Sequence, residues 1–205
     1  MKHMIEKFYP VLMLDDLSRF IVWAIVLFGI LIILYSIKFM KGKPNLVQYY
    51  TYIILTIIAS IGVVLANNLI LLLVLWGFLG LTLYLLINMG DGNASQTAKK
   101  TLVIIGGSDS LMILGIGVLY FLTDTFQMDK ISVSFDMPSA TIAYICLAIA
   151  CFAKAGAMPF HSWIPDCAQD APIPVTAFLP ASLDKLLGIY LLARISMNLF
   201  VMNNA

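Results

Sequence analysis

The stretch AKAGAMPFHSWIPDCAQDAPIPVTAFLPASLDKLL, residues 153–187, decides the fold. It opens where a long apolar run closes on Lys154. Pro159 interrupts that run, His161, Asp166 and Asp170 follow, and Asp184 and Lys185 then stand inside the next apolar run. A charged side chain at mid-membrane depth costs about 2.5–3.5 kcal/mol on insertion scales. Several of them beside a broken helix therefore mark a polar or hydrated interior path. Irregular backbone obeys the same rule, because unpaired peptide groups persist at that depth only where protein or water meets them.

Working outward, the composition supports the same solvent. Of 205 residues 61% are hydrophobic and 11% charged, less than half of the charged share of about 25% usual in soluble domains. The chain reads as an all-α integral membrane protein. A net charge of +1 without any run of Lys or Arg gives no electrostatic case for nucleic acid. Cys146, Cys151 and Cys167 contain no CxxC pair, and the first two sit in an apolar run, so they read as ordinary buried thiols rather than metal ligands. No Rossmann glycine fingerprint and no Cys ligand set for iron–sulfur clusters occurs, so no cofactor or metal is expected. Residues 1–16 make a poor signal peptide, since Asp15 and Asp16 follow only a short apolar stretch; they read as a leading segment outside the first span.

About 20 apolar residues suffice to cross a bilayer as helix, and six such runs are present, at 17–38, 46–66, 69–88, 101–122, 140–156 and 175–199. The fifth is expected to be discontinuous, broken at about 157–159 and continued from Phe160 to about Gln169. Asn67 and Asn68 alone separate the second and third runs, which predicts a tight hairpin. MGDGNASQ (89–96) predicts a turn followed by a Ser95 helix cap. Lys38, Lys41, Lys43, Lys99 and Lys100 fall on one side, cytoplasmic by the positive-inside rule, while Asp124, Asp129 and Asp136 fall on the other. Six spans then place both termini outside, in the cytoplasmic membrane of a prokaryote, with Arg194 as a snorkelling anchor at the outer surface.

At DDLSRF (15–20), ANNLILLLVLWGFLGLTLYLLI (66–87), GGSDSLMILGIG (106–117), AKAGAMPFHSWIPDCAQDAPIPVTAF (153–178) and KLLGIYLLAR (185–194) the chain resembles the antiporter-like membrane subunits. These are shared by respiratory complex I, the membrane-bound hydrogenases related to it and multisubunit cation/proton antiporters. The resemblance implies a channel of two inverted five-helix repeats, each with a broken helix, and lysines and a glutamate along a buried polar axis. This sequence is expected to supply one extra helix (17–45) and the first repeat (46–200), a partner chain supplying the second. By resemblance Lys154 is the central proton-exchanging lysine, Asp109 the aspartate of the preceding helix, and His161 and Asp166 belong to the FHSWLPDA-like motif. Where the family has Trp-Glu, Trp76 is followed by Gly77; Pro180 stands where a histidine is usual, and Lys185 is one residue out of register with the usual lysine.

A lysine relays protons only if its amine is neutral for part of the cycle; burial favours the neutral form of an amine and a nearby carboxylate the charged one. With no glutamate at 77, Asp109 is the first candidate partner for Lys154 and Asp184 the second. Each residue also has a bland reading. Lys154 could snorkel at a helix end, His161 could cap broken backbone instead of taking up protons, and Asp166 could be a solvated turn acid. Asp184 and Lys185 point about 100° apart on a helix, and a structural pairing is as open to them as conduction. Three functions remain: a proton or sodium half-channel in a complex-I-like or hydrogenase-type complex whose redox centres lie in other subunits, a subunit of a non-redox cation/proton antiporter, or a non-conducting membrane module.

Overall fold

The computed structural model describes residues 11–201, which build a bundle with six helices long and apolar enough to cross a membrane. Residues 1–10 of the expected leading segment, and 202–205, lie outside the described residues. Helix α1 (Asp16–Phe39) starts where the Asp15 carboxylate accepts the backbone N–H of Ser18 at 2.8 Å, satisfying one of the amides that a helix start leaves unpaired. Helices α2 (Leu46–Leu65) and α3 (Leu69–Ile87) form the expected hairpin. Asn68 caps α3 by accepting from the amides of Ile70 and Leu71. Asn67 is buried and accepts from the Met128 and Asp129 amides, tying the hairpin to the 124–137 loop.

Helix α4 (Ala94–Thr123) begins seven residues before the expected span and runs through Lys99 and Lys100. Thirty residues of helix extend about 45 Å, so its first turns clear a hydrocarbon core of about 30 Å and charge there carries no burial cost. Ser95 is therefore inside the helix and not its cap; Asn93 takes that position without a side-chain cap bond. Helix α5 (Pro138–Ala155) stops at Gly156, whose φ of +67° is left-handed and whose added Cβ would lie 2.1 Å from Ile164 Cδ1. Glycine alone fits both demands. The chain resumes through a tight turn at Phe160–Ser162 into α6 (Trp163–Asp170), and the Trp163 indole N–H reaches back to the Ala153 carbonyl at 3.3 Å. The discontinuity expected at about 157–159 is thus present, opened one residue earlier.

The sixth span, Ile173–Leu199, is less regular than the apolar run suggests. Helix α7 (Ile173–Phe178) passes through a π-helical turn (Leu179–Leu183) into α8 (Asp184–Arg194), and a second π turn (Ile195–Leu199) closes it. Pro180 has no N–H to give, and two residues on Ser182 Oγ donates to the Ala177 carbonyl at 2.8 Å. A π turn holds more residues than an α turn, so it resets which side chains face inward from position 184 on. A short parallel pair, β1 (Val133–Ser134) with β2 (Phe200–Val201), joins the end of this span to the loop before α5.

The loops sort onto two faces. Phe39, Lys43, Asp91 and Asp170 line one small cavity, so the turns after α1, α3 and α6 converge on a single face. On the other, Leu12 pairs with Ala66, Asn68 with Gln127 and Val133 with Phe200. The lysine-bearing loops accordingly share a face opposite the acidic 123–139 loop. Close packing on α4 falls late in the helix: Gly106 and Gly107 meet nothing within 4 Å, whereas Gly115 abuts Ala143 and Leu147. Gly188 presses α8 onto α5, where a Cβ would lie 2.6 Å from the Cys151 carbonyl oxygen and 2.8 Å from Ala155 Cβ. Because that obstacle is backbone, Gly188→Ala is expected to lower stability by about 1–3 kcal/mol through overpacking. Gly117→Ala, facing open space, is expected to be neutral or slightly stabilising; thermal unfolding of both variants in detergent measures the difference.

Candidate functional site

Lys154 lies in the last turn of α5 and is 0% exposed. Its Nζ donates to the Trp76 carbonyl in the middle of α3 at 3.3 Å and sits 4.9 Å from the centre of the Trp76 ring. The indole N–H of the same tryptophan donates to Asp109 Oδ1 on α4 at 3.0 Å. Trp76 therefore bridges amine and carboxylate, one group at each end. Asp184, the first residue of α8, is 2% exposed, and its Oδ2 has no hydrogen-bond partner among the described residues. Both carboxylates lie close enough to attract the Lys154 amine. Gly188, one turn beyond Asp184, fixes this alignment through its contact with Cys151 and Ala155 on either side of Lys154.

Asp184, directly after the π turn, lies in the core, and Asp109 is held by the Trp76 indole. Two carboxylates and one amine, all ionised, carry a net −1 in a low-dielectric interior, and one added proton makes the cluster neutral. Such a cluster has the chemistry to hold and pass on a proton. Gly77 lies on the exposed side of α3 with nothing within 4 Å of a would-be Cβ, so α3 contributes no acid to it.

The remaining candidates lie elsewhere. Lys185 points to the outer surface of the bundle, away from Asp184. His161 is exposed and its side chain makes no hydrogen bond among the described residues, neither capping the break nor joining the cluster. Asp166 is paired with Lys100 at 2.6 Å, and Lys100 also donates to the Ser162 carbonyl at 3.2 Å. Asp170 accepts from Thr97 Oγ1 at 2.5 Å. The early turns of α4 thereby clasp α6. Sequence reasoning missed Trp76 as a bridge, although its place in the Trp-Gly pair pointed to it. It also missed Thr101, buried with an unpartnered Oγ1 one turn past Thr97; that four-residue hydroxyl spacing was the available signal. Cys146, Cys151 and Cys167 are buried free thiols.

Arg194 is not a snorkelling anchor: it is 3% exposed. Its guanidinium makes a two-pronged pair with the Asp15 carboxylate, and Nη2 also donates to Ser18 Oγ at 2.7 Å and to the Tyr190 hydroxyl at 3.0 Å. Tyr190 and Ser18 both donate to the Val64 carbonyl at the end of α2. Three span ends are knotted together on the face away from the Lys100–Asp166 pair. The Arg194 side chain, by hydrogen bonding, holds the Asp15 carboxyl well below the usual carboxylate range.

Six spans with a discontinuous fifth and a buried amine between helices define a class of multi-pass helical membrane modules. Residues 66–205 match the family described as NADH:quinone oxidoreductase/Mrp antiporter, TM, and the chain belongs to that family. It is 35% identical over 189 residues to an Na(+)/H(+) antiporter subunit of Alkalihalophilus pseudofirmus, covering 89% of this chain and 23% of that protein. It is 30% identical over 194 residues to an NADH-quinone oxidoreductase subunit of Heliobacterium modesticaldum, covering 93% of this chain and 41% of that protein. The chain therefore spans well under half the length of these relatives. Among solved structures it superposes on the Mrp complex of Dietzia with a TM-score of 0.86 at 29% identity, over 92% of this chain and 21% of that one. Respiratory complex I of Thermus thermophilus shares the fold, with a TM-score of 0.76 over 88% of this chain and 40% of that one.

The Asp15–Arg194 pair yields a pH prediction with a fixed sign. A depressed carboxylate contributes stability that is fully present above the unfolded pKa of about 3.9 and is lost as pH falls toward the folded value. Unfolding followed from pH 7 into this acid range should show that loss in the natural chain and a smaller one in Asp15→Asn. At pH 7 the variant should be less stable by about 2–3 kcal/mol, short of the ~3–5 kcal/mol for breaking a fully buried pair because the Asp15 side chain is 33% exposed.

Proposed function

We propose that the chain contributes a proton-translocating half-channel to a multisubunit complex in a prokaryotic cytoplasmic membrane. The observation that carries this reading is the Lys154 amine, wholly buried beside an interrupted helix and attracted by Asp184, a buried acid with one oxygen unanswered. Such groups at mid-membrane depth are costly and point to function. Lys154 exchanges a proton with Asp184, while Trp76 holds the amine by its carbonyl and Asp109 by its indole. The approach runs from the lysine-rich face, read as cytoplasmic by the positive-inside rule, where Lys100–Asp166, His161 and Thr97–Asp170 border the end of α6. Thr101, with its unpartnered hydroxyl, lies between that face and the cluster. A protonated amine has donors and no acceptor, so the exchange at Lys154 suits H+ and leaves any Na+ movement to other groups.

In this reading 17–45 is an additional helix and 46–200 a five-helix repeat, completed by a second repeat from further membrane polypeptide, with both ends of the chain outside. The energy source separates two forms of the proposal. In one, redox subunits drive the complex, as in complex-I-like or hydrogenase-type assemblies. In the other, the assembly is a non-redox cation/proton antiporter, favoured by the higher identity and TM-score with the Mrp relatives. The polypeptides that co-purify with the chain distinguish them, redox subunits being present only in the first.

Proton uptake into inside-out vesicles tests the site. Lys154→Ala is expected to reduce the rate at least tenfold, Asp184→Asn to a similar degree, and Asp109→Asn less, since Asp109 acts on the amine across Trp76. Each variant is checked for assembly by solubilisation and sizing. Unchanged uptake in an assembled Lys154→Ala complex would overturn the proposal and leave the chain a non-conducting module.

A further inference from the structure

Lys185 is a full charge on the outer surface of the bundle, and its depth can be fixed from contacts. Gly188, three residues on, rests against Cys151 and Ala155, so Lys185 lies level with Lys154 and the interrupted helix. Within the span Ile173–Leu199 it is about 18 Å from one end and about 21 Å from the other at the usual helical rise. A lysine that snorkels does so from near a helix end; this one is at the middle. On α8 Lys185 shares its outer face with Ile189 one turn on, which is 63% exposed, and Ala181 in the π turn before it is exposed as well. Among the described residues the Lys185 side chain makes no ion pair and no hydrogen bond. An ammonium against acyl chains at this depth would cost several kcal/mol, by insertion scales about 2.5–3.5, so lipid is the wrong neighbour for this face. An apolar stripe with one cation at its centre fits an apolar helix with one anion at the same depth.

We propose that the Lys185–Ile189 face of α8 docks a transmembrane helix of further polypeptide in the complex that sets an aspartate or glutamate against Lys185. The one-residue offset of Lys185 rotates its side chain by about 100° from the next position and so turns it to the outer surface. Asp184 takes the inward direction. The cation is thereby an interface group and lies apart from the Lys154 cluster. The inference rests on the membrane-spanning reading and on no part of the proton path.

Photo-crosslinking in native membranes tests it with Lys185 left in place. A benzophenone side chain at Ile189 is expected to crosslink to a peptide from an apolar segment that contains Asp or Glu, identified by mass spectrometry. A second probe at Trp23, exposed on α1, gives the background for a face without buried charge. Lys185→Glu should lower the yield at Ile189 at least fivefold, Lys185→Arg should keep it, and Lys154→Ala should leave it unchanged, since the interface does not depend on transport. Crosslinks to phospholipid alone, a captured peptide without an acidic residue, or a yield indifferent to Lys185→Glu would each overturn the proposal. Loss of transport in Lys154→Ala with crosslinking intact separates the fate of this inference from that of the proton path.

Discussion

An amine enclosed where water cannot reach must find its charge partners and hydrogen-bond acceptors within the protein, and the bundle is arranged around that demand at Lys154. The carbonyl it bonds belongs to Trp76 in the middle of α3, and the acids that act on it are Asp184 at the head of α8 and Asp109 on α4. For these to meet, α5 must end where it does. Gly156 supplies the left-handed residue and the space for Ile164, and the reopened backbone is partly answered by the Trp163 indole. The interruption of the helix and the enclosure of the amine are one feature, because the helix end places the lysine and the second limb shuts it in.

The acids around Lys154 come from α4 and α8, not from α3. Resemblance to the antiporter-like subunits places a glutamate on α3 next to Trp76; here that position is Gly77 with open space beside it. Asp184 approaches from α8 instead, and Pro180 with the π turn before it orients the carboxylate. Electrostatics is indifferent to which helix carries the charge and sensitive to distance and desolvation, so an acid can move from one helix to another so long as the field at the amine is kept. The same turn explains why neighbouring residues of opposite charge, Asp184 and Lys185, end up with different surroundings, one enclosed and the other on the outer surface.

The two faces of the bundle differ in kind. On one, α4 projects beyond the membrane thickness and clasps α6 through Lys100–Asp166 and Thr97–Asp170, contacts that are solvated or partly so. On the other, Arg194 draws Asp15, Ser18 and Tyr190 into a largely buried knot around the free carbonyl of Val64. A helix end leaves carbonyls unpaired, and in an apolar setting a multidentate guanidinium with its hydroxyl neighbours is an efficient way of meeting them.

The sequence by itself determined the solvent, the number of spans, the discontinuity after Lys154 and the sidedness of the loops. Those follow from run length, from proline and glycine, and from the cost of charge in lipid, all local or additive along the chain. It also singled out Lys154, Asp109 and Asp184, since an ionisable residue inside an apolar run is conspicuous without coordinates. Only the tertiary structure decided that Asp184 is enclosed in the core, that Trp76 bridges Lys154 and Asp109, that Arg194 is bound to Asp15 179 residues away, and that Lys185 lies outside. Each of these depends on helix rotation and on contacts between distant segments. A single π turn is enough to change the rotation by a residue's worth of angle while leaving the apolar pattern intact.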